Sequence, residues 1–373
     1  MASCTAGFTP TEARPDWMIP AYMETSLIEI DGAGKSGSGT LVRTAVALCS
    51  LTGRPMRMYN IREKREKPGL RPQHLMAVKA CAQLCSGHLE GAETGSREIV
   101  YYPGKKICGG AFEWDIGTAG SATMMASTVI PLALFSGMRS LLTIRGGLFQ
   151  DFAPTALYMA KVLLPLLGRM GAKVGLEMVR PGYIPKGNGE LVVSVESAGM
   201  SLEPFQRTRR GKILKLRGIS LASHLEREAV CGRMADRGRE LLAREGWSAE
   251  IEIINDSTAV QKGAALLMWA ESEGDCLLGF DMAGKLGRSS EVIAQKVVSG
   301  LLADIATGAT VDRFAADQLI LFAGLAAGQS RYIAPGLTDH MESNFWLIEK
   351  ILGARIGFKE NLICIDGIGF FGK

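Results

Sequence analysis

The chain has 373 residues, of which 47% are hydrophobic and 21% are charged, and its formal net charge is +4. This composition is typical of a soluble globular protein with a large core, and it argues against disordered, fibrous and membrane-spanning classes. A net charge this small does not indicate a nucleic-acid partner, so local basic clusters must support that inference. Eight cysteines without a CxxC pair and an N-terminus without an apolar signal segment favour free thiols and a cytoplasmic location.

One succession of predicted elements occurs three times along the chain. The first unit has a helix over 38–53, a strand over 55–62, a second helix over 71–87 and a hairpin over 88–104. The same order returns over 119–197 and again over 312–367. Because each unit must bury two helices on a small sheet, the repeat predicts an α/β (α+β) protein with three such units around a common helical core.

The segment between the second and third units does not follow the repeat. Its pattern predicts a strand, a helix, three strands and a helix, which together form a compact α/β unit. We therefore expect a three-unit domain over 25–198 and 307–373, a small inserted domain over 199–306, and a flexible tail over 1–24. The exposed strands of the insertion are compatible with a homodimer.

A glycine-rich stretch, DGAGKSGSGT at residues 31–40, follows a predicted strand and opens a helix. A P-loop requires a glycine five residues before the glycine of its Gly-Lys-Ser, which is Gly34 here. The residue at that position is Glu29, whose carboxylate would repel a phosphate. The stretch is therefore not a P-loop, although Lys35 within it is a candidate phosphate contact.

Three further features are candidates for binding or catalysis. His340 is predicted in the first turn of a helix, where an anion is favoured. A basic cluster with a Pro-Gly turn suits phosphate binding by guanidinium groups, and a bend over 180–190 contains Gly187 and Gly189, whose backbone we expect to be exposed. His74 is either structural or a phosphate contact. The basic cluster consists of Arg62, Lys64, Arg65, Lys67 and Arg71.

These stretches together resemble the RNA 3'-terminal phosphate cyclase family over residues 25–373. The matching motifs are IDGAGKSGSGTLVRTA, NIREKREKPGLRPQHLMAVKA, GTAGSAT, RPGYIPKGNGE, FAADQLIL and DHMESN. The resemblance implies three repeats of two helices on a four-stranded sheet around a pseudo-threefold axis, with a smaller inserted α/β domain. It also implies an ATP-dependent conversion of an RNA 3'-phosphate into a 2',3'-cyclic phosphate, through a histidine–AMP adduct and an adenylated RNA end.

The resemblance also assigns roles to individual residues. His340 falls on the nucleophile position, and Phe314 falls where an aromatic ring stacks on adenine. Asp317 and Gln318 fall beside the nucleotide and the divalent metal, which is Mg²⁺ or Mn²⁺. Positions expected to hold phosphates of ATP or of the RNA end are occupied by Arg43, Arg62, Arg65 and Gln73.

The chain departs from the family pattern at four positions. Ser36 stands where an acidic metal ligand is usual, Thr40 and Ser127 replace glutamines, and Phe149 replaces an aspartate. Lys35 could offset the lost carboxylate by contacting phosphate. Three alternatives therefore remain open: a non-catalytic cyclase-like partner in RNA processing or ribosome assembly, an adenylyltransferase acting on another terminal phosphate, and a carboxyvinyl-transfer enzyme built on related repeats.

Overall fold

The computed structural model describes residues 27–199 and 201–372, and the predicted tail over 1–24 lies outside them. The protein is a mixed α/β structure with four four-stranded sheets, each containing parallel and antiparallel neighbours. Within the described residues, no helix is both long and apolar enough to cross a membrane. The seven cysteines in these ranges are free.

The first unit forms a sheet in the order β1-β2-β4-β3, in which β1 and β2 are parallel and the other neighbours are antiparallel. Helix α1 begins after the cap residue Ser38 and ends at Gly53, whose φ of 70° is left-handed. The elements are β1 (Ile28–Asp31), α1 (Gly39–Thr52), β2 (Met56–Tyr59), α2 (Pro72–Cys85), β3 (His88–Glu90) and β4 (Ile99–Tyr102).

The second unit repeats this order as β5-β6-β8-β7. The helix predicted over 153–171 contains a π-helical turn, Met159–Leu163, because Pro165 has no N–H to donate to the preceding turn. The elements are β5 (Gly110–Asp115), α3 (Ala122–Leu134), β6 (Ser140–Gly146), α4 (Ala156–Tyr158), α5 (Leu164–Gly168), β7 (Val174–Arg180) and β8 (Gly189–Val195).

The third unit has the same strand order, β9-β14-β16-β15. Its first strand, β9 (Gln206–Arg207), is parallel to β14. Sequence patterns assign these two residues to the predicted insertion, because a two-residue strand has no periodic signal, whereas in the structure they pair with β14. The other elements are α8 (Arg313–Leu325), β14 (Gln329–Ile333), α9 (Asp339–Leu352), β15 (Arg355–Lys359) and β16 (Leu362–Asp366).

The insertion between β9 and α8 has a different strand order, β11-β10-β12-β13. Helices α6 and α7 pack on its sheet around a second apolar core that includes Met234, Leu266, Leu278 and Val297. The elements are β10 (Ile213–Ser223), α6 (Val230–Arg244), β11 (Ala249–Asp256), β12 (Gly263–Ser272), β13 (Leu277–Ala283) and α7 (Ser290–Ala306).

Helices make the contacts between the three units. Helix α1 packs against α9 and α3, α2 packs against α3, and α8 contacts the π-helical turn of the second unit. The sequence between β1 and α1 therefore lies beside the start of α9, although about 300 residues separate them. This juxtaposition positions the candidate site.

Candidate active site

The first turns of α1 and α9 meet at His340. The Nδ1 atom of His340 lies 3.1 Å from Thr40 Oγ1 and 3.4 Å from Ser38 Oγ. Ser38 caps α1 by accepting from the Thr40 N–H, and Thr338 caps α9 by accepting from the Met341 N–H. His340 is exposed. With Nδ1 turned toward the protein, Nε2 is the ring nitrogen available to a ligand.

A buried amide joins α9 to α1 and α8. The Asn344 side chain donates to Asp317 Oδ1 (2.5 Å), and its oxygen accepts from Thr44 Oγ1 (2.9 Å). Gln318 donates to the other oxygen of Asp317 at 3.2 Å. Asn344 lies one helical turn after His340, so this contact fixes the nucleophile candidate relative to Asp317. Asn344 is the last residue of the DHMESN motif, but no pattern in the sequence indicates its role.

Arg43 is a buried cation at this junction. It is 9% exposed, and its Nη2 donates to Thr40 Oγ1 at 3.5 Å. Burial lowers the pKa of Arg43 to about 10, and Asp317 opposes that shift, so the group remains charged at neutral pH. Burial also raises the pKa of Asp317, while His340 favours its charged form. The site thus pairs the buried carboxylate of Asp317 with the buried guanidinium of Arg43.

At the start of α2, the side chains of His74 and Gln73 each present an N–H group for which no acceptor is found among the described residues. The Nδ1 atom of His74 accepts from the Arg71 N–H at 3.3 Å, so a neutral ring carries its proton on Nε2. That nitrogen lies 3.5 Å from Gln73 Nε2, also a donor, because Gln73 Oε1 accepts from the Ser121 N–H. Within the described ranges, no carbonyl or carboxylate accepts from these two groups. Two facing donors beside Arg43 suit an anion.

His74 makes the stability of the protein depend on pH. Its burial, with three neighbouring arginines, lowers its pKa to about 2, whereas an unfolded histidine titrates at about 6.5. Only the unfolded state gains this proton as the pH falls, so the free energy of unfolding should decrease by about 1.4 kcal/mol per unit below about pH 6. Urea unfolding between about pH 4 and 8 should show that His74→Gln lacks this contribution.

The matched control for that measurement is His88→Gln, since the side chain of His88 is 62% exposed. It should keep the pH dependence of the wild type. Identical pH dependence in the wild type and His74→Gln would contradict a buried, neutral His74.

The basic loop before α2 is shaped by its own arginines. Arg62, at a φ of 55°, donates to the carbonyls of Lys67 (2.7 Å) and Gly69 (2.9 Å). Arg65 is exposed and donates to the Ser36 carbonyl at 3.3 Å. Burial and the neighbouring Arg71 lower the pKa of Arg62. The loop therefore reaches the glycine-rich turn and brings its positive charge to the edge of the site.

Phe314 lies at the start of α8, one turn before Asp317. The residue is 37% exposed, and its ring makes edge contacts with Tyr158 and Phe280, with centroid distances of 6.0 and 5.3 Å. The three aromatic residues come from the second unit, the insertion and the third unit. The exposed part of the Phe314 ring can stack on a planar base.

Gly187 and Gly189 do not have the exposed backbone that the sequence suggested. Both are buried. A Cβ on Gly187 would lie 2.8 Å from the Thr118 carbonyl oxygen, and a Cβ on Gly189 would lie 2.6 Å from the Gly182 nitrogen. Close packing of backbone against backbone accounts for both glycines, and that expectation was wrong. Lys35, in contrast, is exposed on the turn at a φ of 47°.

Three of the departures from the expected pattern have defined surroundings in the structure. Phe149 is 1% exposed and stacks on Tyr183 at 5.2 Å, so it belongs to the core. Ser127 donates to the Thr123 carbonyl of its own helix and lines a narrow cleft with Arg43, Gln318 and Asn344. Ser36 bonds with Ser38 and Ser343 through its hydroxyl group.

The residues present do not form a metal site on their own. In the described part of the chain, no group of three or more His, Cys, Asp or Glu side chains could hold a metal ion. Both oxygens of Asp317 accept from amides, and Ser36 is neutral and bonded to other serines. Mg²⁺ prefers carboxylates and substrate phosphates. Ser36 and Asp317 thus do not fit a preformed metal site.

Comparison with known proteins identifies the family. Residues 34–358 match the family model described as RNA 3'-terminal phosphate cyclase. Proteins named RNA 3'-terminal phosphate cyclase are similar to the chain in Pyrobaculum neutrophilum (35% identity over 92% of this chain and 99% of that protein) and Methylococcus capsulatus (37% over 89% and 92%). The protein of that name from Methanopyrus kandleri is 37% identical over 89% of this chain and 95% of its own.

Among solved structures, the enolpyruvyl transferase NikO from Streptomyces tendae aligns with 94% of this chain and 51% of its own, at 10% identity and a TM-score of 0.37. That likeness is too weak to support an argument about function. The sequence matches instead cover nearly the whole chain. The chain belongs to the RNA 3'-terminal phosphate cyclase family.

Proposed function

We propose that the protein uses ATP to convert an RNA 3'-phosphate into a 2',3'-cyclic phosphate. The observation that carries this proposal is that His340 and Arg43 both face the hydroxyl of Thr40. His74 lies beside Arg43 against Gly39 of the same helix start, and its Nε2 atom faces the amide of Gln73. The first turns of α1, α2, α3 and α9 meet around them. Helix N-termini and guanidinium groups both stabilise phosphate charge.

In the first step, Nε2 of His340 attacks the α-phosphorus of ATP. A P–N bond forms, the bond to the pyrophosphate oxygen breaks, and pyrophosphate leaves. Arg43 and the donors of α2 stabilise the charge on the transferring phosphoryl group, and Asp317 offsets the positive charge that the imidazole acquires. Phe314 holds the adenine by stacking, and Gln318 and Arg65 complete the nucleotide site. Covalent capture divides one difficult substitution into easier ones.

Two further substitutions complete the reaction. An oxygen of the RNA 3'-phosphate attacks the adenylyl phosphorus, and the P–N bond breaks, which returns His340 to its starting form. The 2'-hydroxyl then attacks the terminal phosphorus, loses its proton and displaces AMP. The terminal phosphate is a poor electrophile until AMP gives it a leaving group. Arg62 and Lys35, at the edge of the site, are placed to contact the RNA end.

We also propose an arrangement of the domains. The three units lie about a pseudo-threefold axis, in a domain over residues 25–198 and 307–373 that β9 also joins through its pairing with β14. The insertion follows β9, and its Phe280 borders the nucleotide site through Phe314. The common strand order of the three sheets and the contacts between their helices support this arrangement.

Labelling with α-³²P-ATP and Mg²⁺ or Mn²⁺ tests the proposal. We expect an acid-labile, alkali-stable protein adduct that is absent in His340→Ala and retained in His88→Ala. An RNA with a 3'-phosphate should then discharge the adduct and gain a phosphatase-resistant end. A wild-type protein that acquires no label with either metal would refute the enzymatic proposal and favour a non-catalytic role in RNA processing.

A further inference from the structure

Two hydroxyl groups face one nitrogen of His340. Thr40 Oγ1 lies 3.1 Å from Nδ1, and Ser38 Oγ lies 3.4 Å from it. Both residues are buried in the first turn of α1, with exposures of 7% and 6%. Buried side chains at a helix start have little freedom, so the two hydroxyl groups hold fixed positions facing the imidazole.

Further hydroxyls anchor this pair to α9. Ser38 Oγ lies 3.0 Å from Ser36 Oγ, which accepts from Ser343 Oγ at 2.7 Å. The Ser36 N–H also donates to Ser343 Oγ, at 3.2 Å. Ser343 lies three residues after His340 on α9, so the serines tie the glycine-rich turn to the helix that carries the histidine. These bonds hold the start of α9, and with it the His340 imidazole, against the start of α1.

We propose that Thr40, supported by Ser38, accepts the Nδ1–H of His340 and so fixes the tautomer in which Nε2 is unprotonated. This inference rests on the proposed function, in which Nε2 attacks phosphorus. A neutral imidazole has one N–H, and a hydroxyl oxygen can accept it. In the opposite tautomer, Nε2 would carry the proton and have no lone pair for the attack. Thr40 is thus a positioning residue.

Two of these hydroxyl-bearing residues stand where the family resemblance implies other side chains. An acidic residue is expected at Ser36 and a glutamine at Thr40, and here both carry hydroxyls. Once Nε2 forms its bond to phosphorus, the ring becomes cationic and keeps the Nδ1–H, which the Thr40 oxygen continues to accept. Thr40 therefore stabilises the adduct as well as the attacking tautomer.

Nuclear magnetic resonance of the full chain labelled with ¹⁵N-histidine tests the tautomer without ATP. The chain has four histidines, and the signals that disappear in His340→Gln belong to His340. At about pH 8, where an unperturbed imidazole is neutral, we expect protonated Nδ1 and unprotonated Nε2 in the wild type. Thr40→Val, which keeps the shape but removes the acceptor, should shift His340 toward a mixture of tautomers.

Adenylation measured in a single turnover gives the second readout. Thr40→Val should slow it about 10- to 100-fold, less than loss of an orienting carboxylate costs a catalytic triad. Thr40→Ser should restore both the tautomer and most of the rate. The control is Thr52→Val on the same helix, because Thr52 donates only to backbone carbonyls of its own helix; it should leave both readouts unchanged.

The inference is overturned if the wild type carries its proton on Nε2, or if Thr40→Val keeps a single Nδ1–H form. These outcomes are separable from failure of the proposed function. A protein with the expected tautomer and its dependence on Thr40, yet without ATP labelling, would leave the positioning intact and refute the reaction.

Discussion

Arg43→Gln should reduce the single-turnover rate of ATP-dependent labelling of His340 about 100- to 1,000-fold. Arg43 is buried, remains cationic at neutral pH, and donates to the Thr40 hydroxyl that also faces His340. Removing a fixed donor from the place where phosphoryl charge develops costs about this much in other enzymes. The glutamine also leaves Asp317 without its buried cationic neighbour. Labelling with α-³²P-ATP over a time course measures the rate.

Arg43→Lys separates charge from geometry. A lysine keeps the positive charge but lacks the planar fork that binds two phosphate oxygens, so we expect an intermediate loss, about 10- to 100-fold. Arg57→Gln is the matched control, because Arg57 is a surface residue that pairs with Glu29 and Glu98 on the first sheet. Labelling at the wild-type rate in a folded Arg43→Gln protein would show that Arg43 does not contact the nucleotide.

The helices and most strands of the fold could be predicted from local patterns in the sequence. Apolar periodicity and terminal glycines such as Gly53 and Gly353 mark helices whose bounds the structure places within a few residues. The shortest strand was missed because its pairing is entirely non-local. β9 has two residues, and its partner β14 follows after an insertion of about 100 residues. No window of sequence contains that information.

The candidate site was predicted less completely, and the reason differs for each residue. His340 was a candidate from its place at a helix start, and the family resemblance gave it the role of nucleophile and identified Arg43. In the structure both residues face the hydroxyl of Thr40. The role of His74 was left open between structure and phosphate contact, because the nitrogen that carries its proton depends on a hydrogen bond from the Arg71 backbone. The sequence signal that could have indicated the role of His74 is the run Arg-Pro-Gln-His at the predicted start of a helix. For Gly187, only the expected exposure was wrong, since a glycine in a bend indicates close backbone packing, here against Thr118, as readily as an exposed backbone.

Asp312→Asn should lower the free energy of unfolding by about 2 to 4 kcal/mol. Asp312 is fully buried and caps α8, where Oδ1 accepts from the N–H groups of Phe314 and Ala315. Oδ1 also accepts from the Tyr158 hydroxyl at 2.7 Å, and Oδ2 accepts from the Gly279 N–H at 2.8 Å. An asparagine can reproduce the bonds of one oxygen, but its NH₂ group then faces the Gly279 N–H, and two buried donors are left unpaired.

The Asp312 carboxylate joins three parts of the chain that are far apart in sequence. Tyr158 belongs to the second unit, Gly279 to the insertion, and α8 to the third unit. Urea unfolding measures the loss, and Asp236→Asn is the control, because the side chain of Asp236 is 78% exposed on α6; we expect a change within about 0.5 kcal/mol there. Since Asp312 also holds the backbone of Phe314, a folded Asp312→Asn protein should bind ATP more weakly. Unchanged stability of Asp312→Asn would mean that apolar contacts alone hold the insertion against the second and third units.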